Sequence, residues 1–471
     1  MISRNGKPFS PVKLNRRQLL RGVAAAAILA PHAARGSLEH GHTLRVGQAV
    51  VDITPPLGTL MSGFHYGPDN ERRTEGVRRP TAARALVLQV GNTKAAILSV
   101  DTCGISRAYA RRIRQAVQAA TGIPADQVRL CATHTHSTAT FRYFLQWGGL
   151  PSQYIATCGS KLVEVVKQAD ADLAPAELYV GHTRAKGANF NRTRPTWRTD
   201  AEFDDRATDE DRWLDTVLHV LHFERPAPKR NLLWYHFSAH PVCFSDRLAG
   251  PDWPGVVDRL LLERSNILPC FLQGHCGDVN PGPGKPWLGV AETTGARVAD
   301  AIAQALTGAT RIQPKALRVM RRDVPLALDI ALLKQQIDTY QQDPSQCGGG
   351  EWVDPAFARS WFEGAKKWNM RQSALPMTIS FIQLDDLGLF FHGSELFSYY
   401  GLKIRHASPL KHTLCVGYTD DYVGYLTDPT AHAKREYAAS VVPKICGLPP
   451  FTPTATRQFS DEAAGWVNAH V

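Results

Sequence analysis

The sequence predicts a mixed α/β fold in which mixed β-sheets are flanked by helices within a single large catalytic domain. With 471 residues, the chain is long enough to bury a large hydrophobic core. Apolar residues make up 44% of the chain and charged residues 21%, as in an ordinary globular protein. Strand-like and helix-like patterns alternate along nearly the whole chain, and that alternation indicates α/β or α+β architecture with mixed sheets.

Runs rich in β-branched residues predict the strands, and apolar residues spaced three or four apart predict the helices. The predicted strands are 44–53, 84–90, 94–100, 127–133, 216–223, 231–238, 267–273, 377–384, 388–392 and 413–417. The predicted helices are 106–120, 161–170, 253–263, 291–306 and 396–406. Segment 341–351, which contains three consecutive glycines, is predicted to be a surface loop between two helical segments.

The N-terminal residues 1–36 have the features of a twin-arginine export signal. The pair Arg16-Arg17 is followed by an alanine-rich apolar stretch, residues 22–30, and then by small residues. The apolar stretch is too short to cross a bilayer. We therefore expect a periplasmic or secreted protein whose mature domain spans residues 37–471.

The net charge of +11 does not indicate a nucleic-acid-binding protein. Seven basic residues and no acidic residue lie in residues 1–36, which leaves a net charge of +4 for the rest of the chain. So small an excess gives no electrostatic footprint for DNA or RNA, and we expect no nucleic-acid partner.

The nine cysteines are scattered along the chain and include no CxxC pair. Disulfides are compatible with an oxidising compartment, but the sequence assigns no pairing. Several of the cysteines lie in apolar strand-like runs, so we interpret these as small buried hydrophobic residues.

The clearest chemical motif is Thr-His-Thr-His-Ser at residues 133–137, directly after a predicted strand. In an extended segment alternate residues share a face, so His134 and His136 are predicted to project in the same direction. Two such imidazoles suit one metal ion, or one metal ligand beside an acid–base group. The alternative is a pair of structural histidines bonded to the backbone.

Three further strand ends each offer a nitrogen or oxygen ligand. His240 follows an apolar strand, Glu395 follows a strand and a glycine, and Tyr425 closes the segment Tyr-Val-Gly-Tyr. Taken singly, His240 is as consistent with a structural histidine, and Glu395 with a charge in the first turn of a helix. Together with the histidine pair, they form a pattern typical of a catalytic zinc site, which keeps one position open for water.

In these motifs and their order, the chain resembles the neutral/alkaline non-lysosomal ceramidase family. The motifs that carry the resemblance are residues 46–56 with Asp52-Ile53-Thr54, Ser99-Val100-Asp101, residues 133–137, Asn191-Arg192, Asp215, His240-Pro241, residues 273–281, Gly393-Ser394-Glu395 and Tyr422–Tyr425.

The resemblance implies hydrolysis of the amide of ceramide to sphingosine and a fatty acid. It implies that the zinc ligands are His134, His240, Glu395 and Tyr425. It also implies three catalytic groups: His136 for proton transfer or oxyanion stabilisation, Arg192 facing the substrate oxygens, and Tyr437 as a hydrogen-bond donor.

The chain departs from the family pattern at three places. Residues 137–140 read Ser-Thr-Ala-Thr instead of continuing into Gly-Pro, and Asn280 stands where the family has a serine. An asparagine cannot form an acyl-enzyme, so we expect a metal-bound water to be the nucleophile and Asn280 to contact the substrate. We also expect the immunoglobulin-like C-terminal domain of the family to be missing.

We therefore expect a zinc-dependent hydrolase that acts on the amide of an N-acyl lipid such as ceramide. One alternative is a related zinc amidase or esterase for another substrate, for example an N-acylated sugar. Another is a non-catalytic, metal-stabilised binding protein of the cell envelope. The expected partner is a small-molecule or lipid amide, and membrane-surface lipid is left open as a further partner.

Overall fold

The structure, a computed structural model, describes residues 43–471. The predicted export signal, residues 1–36, lies outside the described residues. Within residues 43–471, no helix combines the length and the apolar character that crossing a bilayer requires.

The strands of the described residues are numbered in chain order. They are β1 (Arg45–Asp52), β2 (Gly76–Val77), β3 (Ala82–Val90), β4 (Thr93–Val100), β5 (Val128–Ala132), β6 (Ala174–Pro175), β7 (Glu177–Arg184), β8 (Asn189–Asn191), β9 (Arg198–Thr199), β10 (Trp213–Leu214), β11 (Val217–Glu224), β12 (Leu232–Phe237), β13 (Leu248–Ala249), β14 (Cys270–Gln273), β15 (Val279–Pro281), β16 (Thr310–Ile312), β17 (Leu317–Ala327), β18 (Ala374–Leu384), β19 (Leu387–Phe391), β20 (Glu395–Leu396), β21 (His412–Val416) and β22 (Tyr425–Leu426).

The α-helices are numbered in the same way. They are α1 (Arg107–Thr121), α2 (Ser152–Ala171), α3 (Trp253–Ser265), α4 (Ala291–Thr307), α5 (Ile330–Gln342), α6 (Pro355–Ala365), α7 (Ser398–Ala407), α8 (Pro429–Ala433), α9 (Tyr437–Ser440), α10 (Val442–Ile445) and α11 (Ala455–His470).

Three mixed sheets form most of the β-structure, so the predicted α/β class with mixed sheets is confirmed. Their strand orders are β5-β4-β3-β1-β6, β14-β12-β11-β7-β16 and β17-β18-β19-β21. In each sheet the neighbours are antiparallel except for one parallel pair at an edge. The parallel pairs are β4 with β5, β12 with β14, and β19 with β21.

Three of the strands that lead to the strand ends discussed below are buried on both faces. Every residue of Val128–Ala132, Leu232–Phe237 and Leu387–Phe391 is buried. A strand covered on both sides reads as a continuous apolar run rather than an alternating one, and this is the pattern that these segments show in the sequence.

Helices cover the sheets through amphipathic faces. In α1, the side chains of Tyr109, Ile113 and Val117 are buried at helical spacing. Ser106 begins this helix by accepting a hydrogen bond from the backbone of Tyr109, and Gly122 ends it with a left-handed φ of 76°. Helix α2 packs against β1 and β3, and α4 packs against β7 and β11.

The sequence did not predict the strand Leu317–Ala327 or the helix Ala455–His470. The strand lies at the edge of its sheet and exposes several charged residues, so its apolar alternation is weak. Segment 341–351, predicted as a loop, connects α5 to α6 and contains two short 3₁₀ turns.

All nine cysteines lie within the described residues, and none of them is paired in a disulfide. Eight are buried and Cys243 is half-buried. The interpretation of these cysteines as small buried hydrophobic residues is confirmed for the strand cysteines Cys131 and Cys270.

Gln273, the last residue of β14, joins the ends of the three sheets. Its side-chain Nε2 donates to the carbonyl oxygens of Thr133 at 3.1 Å and Ala239 at 3.0 Å, which follow β5 and β12. Its own carbonyl accepts from the backbone N–H of Gly417, after β21, at 3.1 Å. Through its side-chain amide and its backbone carbonyl, one fully buried residue therefore fixes the relative positions of the chain segments that leave the three sheets.

Replacing Gln273 by leucine is expected to lower the free energy of unfolding by about 2 to 4 kcal/mol, because two buried carbonyl groups lose their donor. Urea denaturation followed by fluorescence measures this change. The control is Gln383→Leu, which removes a single bond, to the carbonyl of Asp385, and should cost less. Equal losses in the two variants would contradict the special role of Gln273.

Candidate metal centre

Three buried side chains from three strand ends meet at one point. His134 follows β5, His240 follows β12, and Glu395 follows β19. The carboxylate Oε2 of Glu395 lies 3.3 Å from Nε2 of His134 and 2.9 Å from Nε2 of His240. All three ligand atoms lie within 4.8 Å of one another, so this group could hold a metal ion.

Backbone carbonyl groups orient the rings of both histidines. Nδ1 of His134 lies 2.6 Å from the carbonyl oxygen of Cys103, and Nδ1 of His240 lies 2.9 Å from that of Val279. A carbonyl only accepts, so each Nδ1 carries a proton, and Nε2 is the ring atom left to face a metal ion. This arrangement orients histidine ligands in metal sites.

The spacing and the chemistry of the donors fit a small divalent cation. Tetrahedral ligands about 2.0–2.2 Å from a zinc ion lie roughly 3.3–3.5 Å from one another. The distances from Glu395 to the two histidines are close to that separation. Two imidazoles and one carboxylate are a ligand set that zinc accepts, and other transition metals accept it as well.

Charge in the group is concentrated on Glu395, which is 2% exposed. Burial alone would raise the pKa of its carboxyl, but His134 and His240 hold that pKa well below its usual value. Burial alone would lower the pKa of His134, but the Glu395 carboxylate outweighs burial and raises that pKa to about 10. The carboxylate is thus stabilised by positive charge, which a cation among the three groups would also supply.

The expected geometry of the histidine pair is wrong, although the two side chains do meet. β5 ends at Ala132, and His134 has a left-handed φ of 64°, so the segment is not extended. The two Nε2 atoms nevertheless lie 3.2 Å apart. A positive φ at a non-glycine residue costs conformational energy, and such residues cluster at functional sites.

His136 is held beside the three ligands as a neutral imidazole. Burial, together with the charges on His134 and His240, lowers its pKa well below the usual value. Its Nδ1 has no hydrogen-bond partner among the described residues. Arg72 fixes its backbone by donating from Nη1 to the His136 carbonyl at 2.6 Å.

Gly63, which the sequence analysis did not single out, packs directly on the His136 ring. A Cβ added at Gly63 would lie 2.4 Å from Cγ of His136, and the backbone there has a φ of 97°. Both facts require glycine at this position. No motif in the sequence indicated it, because the contact forms between distant segments.

Tyrosine hydroxyls surround the carboxylate of Glu395. Tyr422 donates to Oε1, and Tyr418 donates to Oε2 at 3.2 Å. Tyr425 pairs with Glu395 through parallel strands, and its hydroxyl accepts from Arg192 at 2.5 Å. The role of Tyr425 as a fourth ligand stays a prediction. The sequence analysis missed Tyr418, whose only sign was its position directly after a strand.

Arg192 is fixed in the site by contacts with the segment after β14. It donates to the carbonyl of Gly277 at 2.8 Å and to Oδ1 of Asn280 at 3.0 Å. Burial lowers the pKa of Arg192, but Tyr425 and Glu395 raise it above its usual value, so the guanidinium stays charged.

Asn280 is fully buried, and both ends of its amide are engaged. Oδ1 accepts from Arg192, and Nδ2 donates to the carbonyl of Trp287 at 2.8 Å. These contacts make Asn280 a positioning residue for Arg192. The predicted contact between Asn280 and the substrate stays a prediction.

Asp278 anchors the same segment to two other elements. Its carboxylate accepts from Nδ2 of Asn191 and from the backbone and hydroxyl of Ser398, each at 2.8 Å. The backbone carbonyl of Asp278 accepts from the N–H of Arg192 at 2.8 Å. Asp278 therefore joins the Asn191-Arg192 segment to the start of α7.

Tyr437, at the start of α9, lies at the edge of the site. It is 48% exposed, and its ring lies 6.3 Å from that of Tyr425. It borders a cavity of about 30 Å³ that adjoins His134, His136 and Glu395. That volume accommodates a water molecule. The proposed hydrogen bond from Tyr437 to a substrate stays a prediction.

Known proteins share part of this sequence and its fold. Residues 44–267 match the family described as neutral/alkaline non-lysosomal ceramidase, N-terminal. The neutral ceramidase structure from Pseudomonas aeruginosa is 19% identical, with a TM-score of 0.69 over 91% of this chain and 74% of that one.

A second structure, described as a ceramidase complexed with C2, is also 19% identical, with a TM-score of 0.68 over 91% of this chain and 75% of that one. No curated protein sequence is significantly similar to the chain. Residues 44–267 thus match the N-terminal part of the neutral/alkaline non-lysosomal ceramidase family, and the chain shares its fold with both ceramidase structures.

Replacing Glu395 by glutamine is expected to reduce metal binding by at least about tenfold, because the anionic ligand is lost while the shape is kept. Elemental analysis of the purified protein after dialysis measures bound metal per chain. The control is Glu263→Gln, an exposed carboxylate on α3. Unchanged metal content in Glu395→Gln would rule out this carboxylate as a ligand.

Proposed function

We propose that the chain is a zinc-dependent amidohydrolase that cleaves the amide of an N-acyl lipid such as ceramide. The observation that carries the proposal is the convergence of His134, His240 and Glu395, with both histidines oriented by backbone carbonyls. The match of residues 44–267 to the ceramidase family supports amide hydrolysis. The similarity to a ceramidase complexed with C2 supports a substrate of the ceramidase type.

Zinc is the metal that we propose, with Tyr425 as a fourth ligand beside the three buried groups. Zinc bound to such a set would act as a Lewis acid and would lower the pKa of a water molecule from 15.7 to about 7. The cavity beside His134 and Glu395 has the volume of one water molecule, which supports water as the nucleophile.

Asn280 supports the same choice of nucleophile. Its amide cannot attack a carbonyl and remain as an acyl-enzyme, and its two ends are already engaged by Arg192 and the Trp287 carbonyl. We therefore propose that water attacks the carbonyl directly and that no acyl-enzyme forms.

The proposed proton carrier is His136. It is neutral, and its unpartnered Nδ1 and its position beside His134 suit a group that takes a proton and gives it to the leaving amine. Burial lowers its affinity for the proton, so the proton taken up would be passed on readily.

The proposed stabilising groups for the negative charge on the carbonyl oxygen are Arg192 and Tyr437. The guanidinium of Arg192 is already fixed by Gly277 and Asn280, so it need not reorganise during the reaction. Removal of one such preorganised donor typically costs about 3 kcal/mol of barrier.

Apolar residues at the site support an acyl-chain substrate. Phe144, Val442 and Ile445 line the small cavity together with the ligands. Tyr437, which also lines it, and Trp287, whose carbonyl accepts from Asn280, are about half exposed. Large apolar side chains left exposed near a polar site are typical of ligand-binding surfaces.

The direct test combines metal analysis with hydrolysis of a short-chain fluorescent ceramide. We expect about one zinc per chain and release of fatty acid, and we expect His134→Ala to lose both. The control is His470→Ala, at the C-terminus of α11, which should keep both. Zinc retained by His134→Ala would refute the ligand set.

Zinc without ceramide cleavage would instead refute the substrate. Because Asn280 replaces the family serine, an N-acylated amino sugar is the next substrate to assay with the same zinc-loaded protein. Cleavage of neither compound would contradict the proposed hydrolase activity.

Gly63→Ala is expected to lower kcat by about a hundredfold while zinc stays bound, since displacing His136 misplaces the proton carrier and leaves the ligands intact. Steady-state kinetics and zinc analysis of the same preparation measure both. The matched control is Gly67→Ala in the same loop, where an added Cβ meets no atom within 4 Å. Equal kcat values for the two variants would contradict a catalytic role for His136.

A further inference from the structure

A second cavity, of about 1010 Å³, lies between the second sheet and helices α4 and α7. It shares no lining residue with the small cavity at the metal centre. Its walls come from β7, β11, α4, α7 and the start of β21. The proposed hydrolase mechanism uses none of its residues.

The lining of this cavity is rich in positive charge. It contains five cations, which are Arg184, Lys186, Arg297, Arg405 and Lys411, and two carboxylates, which are Asp200 and Asp300. Both carboxylates are already paired, Asp200 with Arg184 at 2.8 Å and Asp300 with Arg264, outside the cavity, at 2.7 Å.

The unbalanced charges can be identified. Arg405 is matched by the buried Asp215, to which it donates at 2.8 Å. Within residues 43–471, Lys186, Arg297 and Lys411 form no ion pair with a carboxylate. Three positive charges around one cavity, without counter-charges, favour an anionic occupant.

Four histidines lie in a row at the wall of this cavity. The ring of His182 lies 5.8 Å from that of His219 and 5.6 Å from that of His412, and the rings of His219 and His236 are 5.9 Å apart. Among the described residues, Nδ1 of His219, Nδ1 of His236 and both ring nitrogens of His412 have no hydrogen-bond partner.

His219 links this row to the cavity. It is 5% exposed, and its side chain lines the cavity wall. Burial, followed by the charges on His236 and Arg405, lowers its pKa well below the usual value, so the ring is neutral and keeps one N–H donor. A buried polar group without a partner carries a free-energy cost that a bound acceptor would remove.

A cation does not suit this row. Within the described residues, no three of these four histidines bring their ring nitrogens within 4.8 Å of one another. The surrounding charge is also positive, which would repel a metal ion. Imidazole N–H groups, lysines and an arginine are instead the donors that bind oxyanions.

We propose that this cavity binds a small oxyanion of the phosphate class, held by His219 and by the charges of Lys186, Arg297 and Lys411. The oxyanion is either inorganic phosphate or the phosphate group of a small phosphorylated molecule, for which the cavity has room. The site is independent of the proposed hydrolase activity.

The test is isothermal titration calorimetry of the zinc-loaded protein with inorganic phosphate and, separately, with glycerol 3-phosphate. Removing both lysines in Lys186→Ala/Lys411→Ala is expected to weaken binding by about tenfold or more. The matched control, Lys334→Ala/Lys367→Ala, removes two exposed charges from α5 and the end of α6 and should bind as the wild type does. Tighter binding of glycerol 3-phosphate identifies an organic phosphate, and equal or weaker binding identifies the free ion.

The variant His219→Leu tests whether the imidazole contributes to phosphate binding separately from the positive charges of the cavity. Because Nδ1 of His219 has no protein partner, the leucine variant should keep its melting temperature and bind phosphate several-fold more weakly. The same titration with His134→Ala should give the wild-type affinity, since the metal centre is elsewhere. No phosphate binding by the wild type overturns the proposal, and so does binding that is lost in His134→Ala but kept in Lys186→Ala/Lys411→Ala.

Discussion

The burial of one carboxylate, Glu395, is the constraint on which the rest of the site depends. An ionised carboxylate inside a protein requires positive charge and hydrogen-bond donors around it. Here the donors are the hydroxyls of Tyr418 and Tyr422, and the positive charge comes from the histidine side. The two histidines follow strands of the first and second sheets, and both tyrosines follow β21 of the third. The charge balance at Glu395 therefore depends on the alignment of all three sheets.

Much of this could be predicted from the sequence, because the ligands follow strands that are buried on both faces. Such strands appear as continuous apolar runs, and a histidine or glutamate directly after one is conspicuous. His134, His240 and Glu395 were identified in this way, and the structure brings them together. The position of Arg192, which donates a hydrogen bond to the Tyr425 hydroxyl, could be anticipated only through the family resemblance.

The remaining features depend on contacts between segments that are far apart in the chain. Gly63 looks like an ordinary loop glycine until the fold places it against the ring of His136. Gln273 is one polar residue at the end of a short apolar strand until its amide is seen to join two strand ends. The left-handed backbone of His134 could not be predicted either, since local sequence favours the extended form that was expected there.

The spread of the ligands along the chain has a consequence for assembly. His240 and Glu395 are 155 residues apart, and each of the three ligands follows a strand of a different sheet. Closing such long loops is entropically costly and slow, so the complete ligand set forms only when all three sheets have docked. Metal capture would therefore be a late event in folding, and it would mark chains whose long-range topology is already correct.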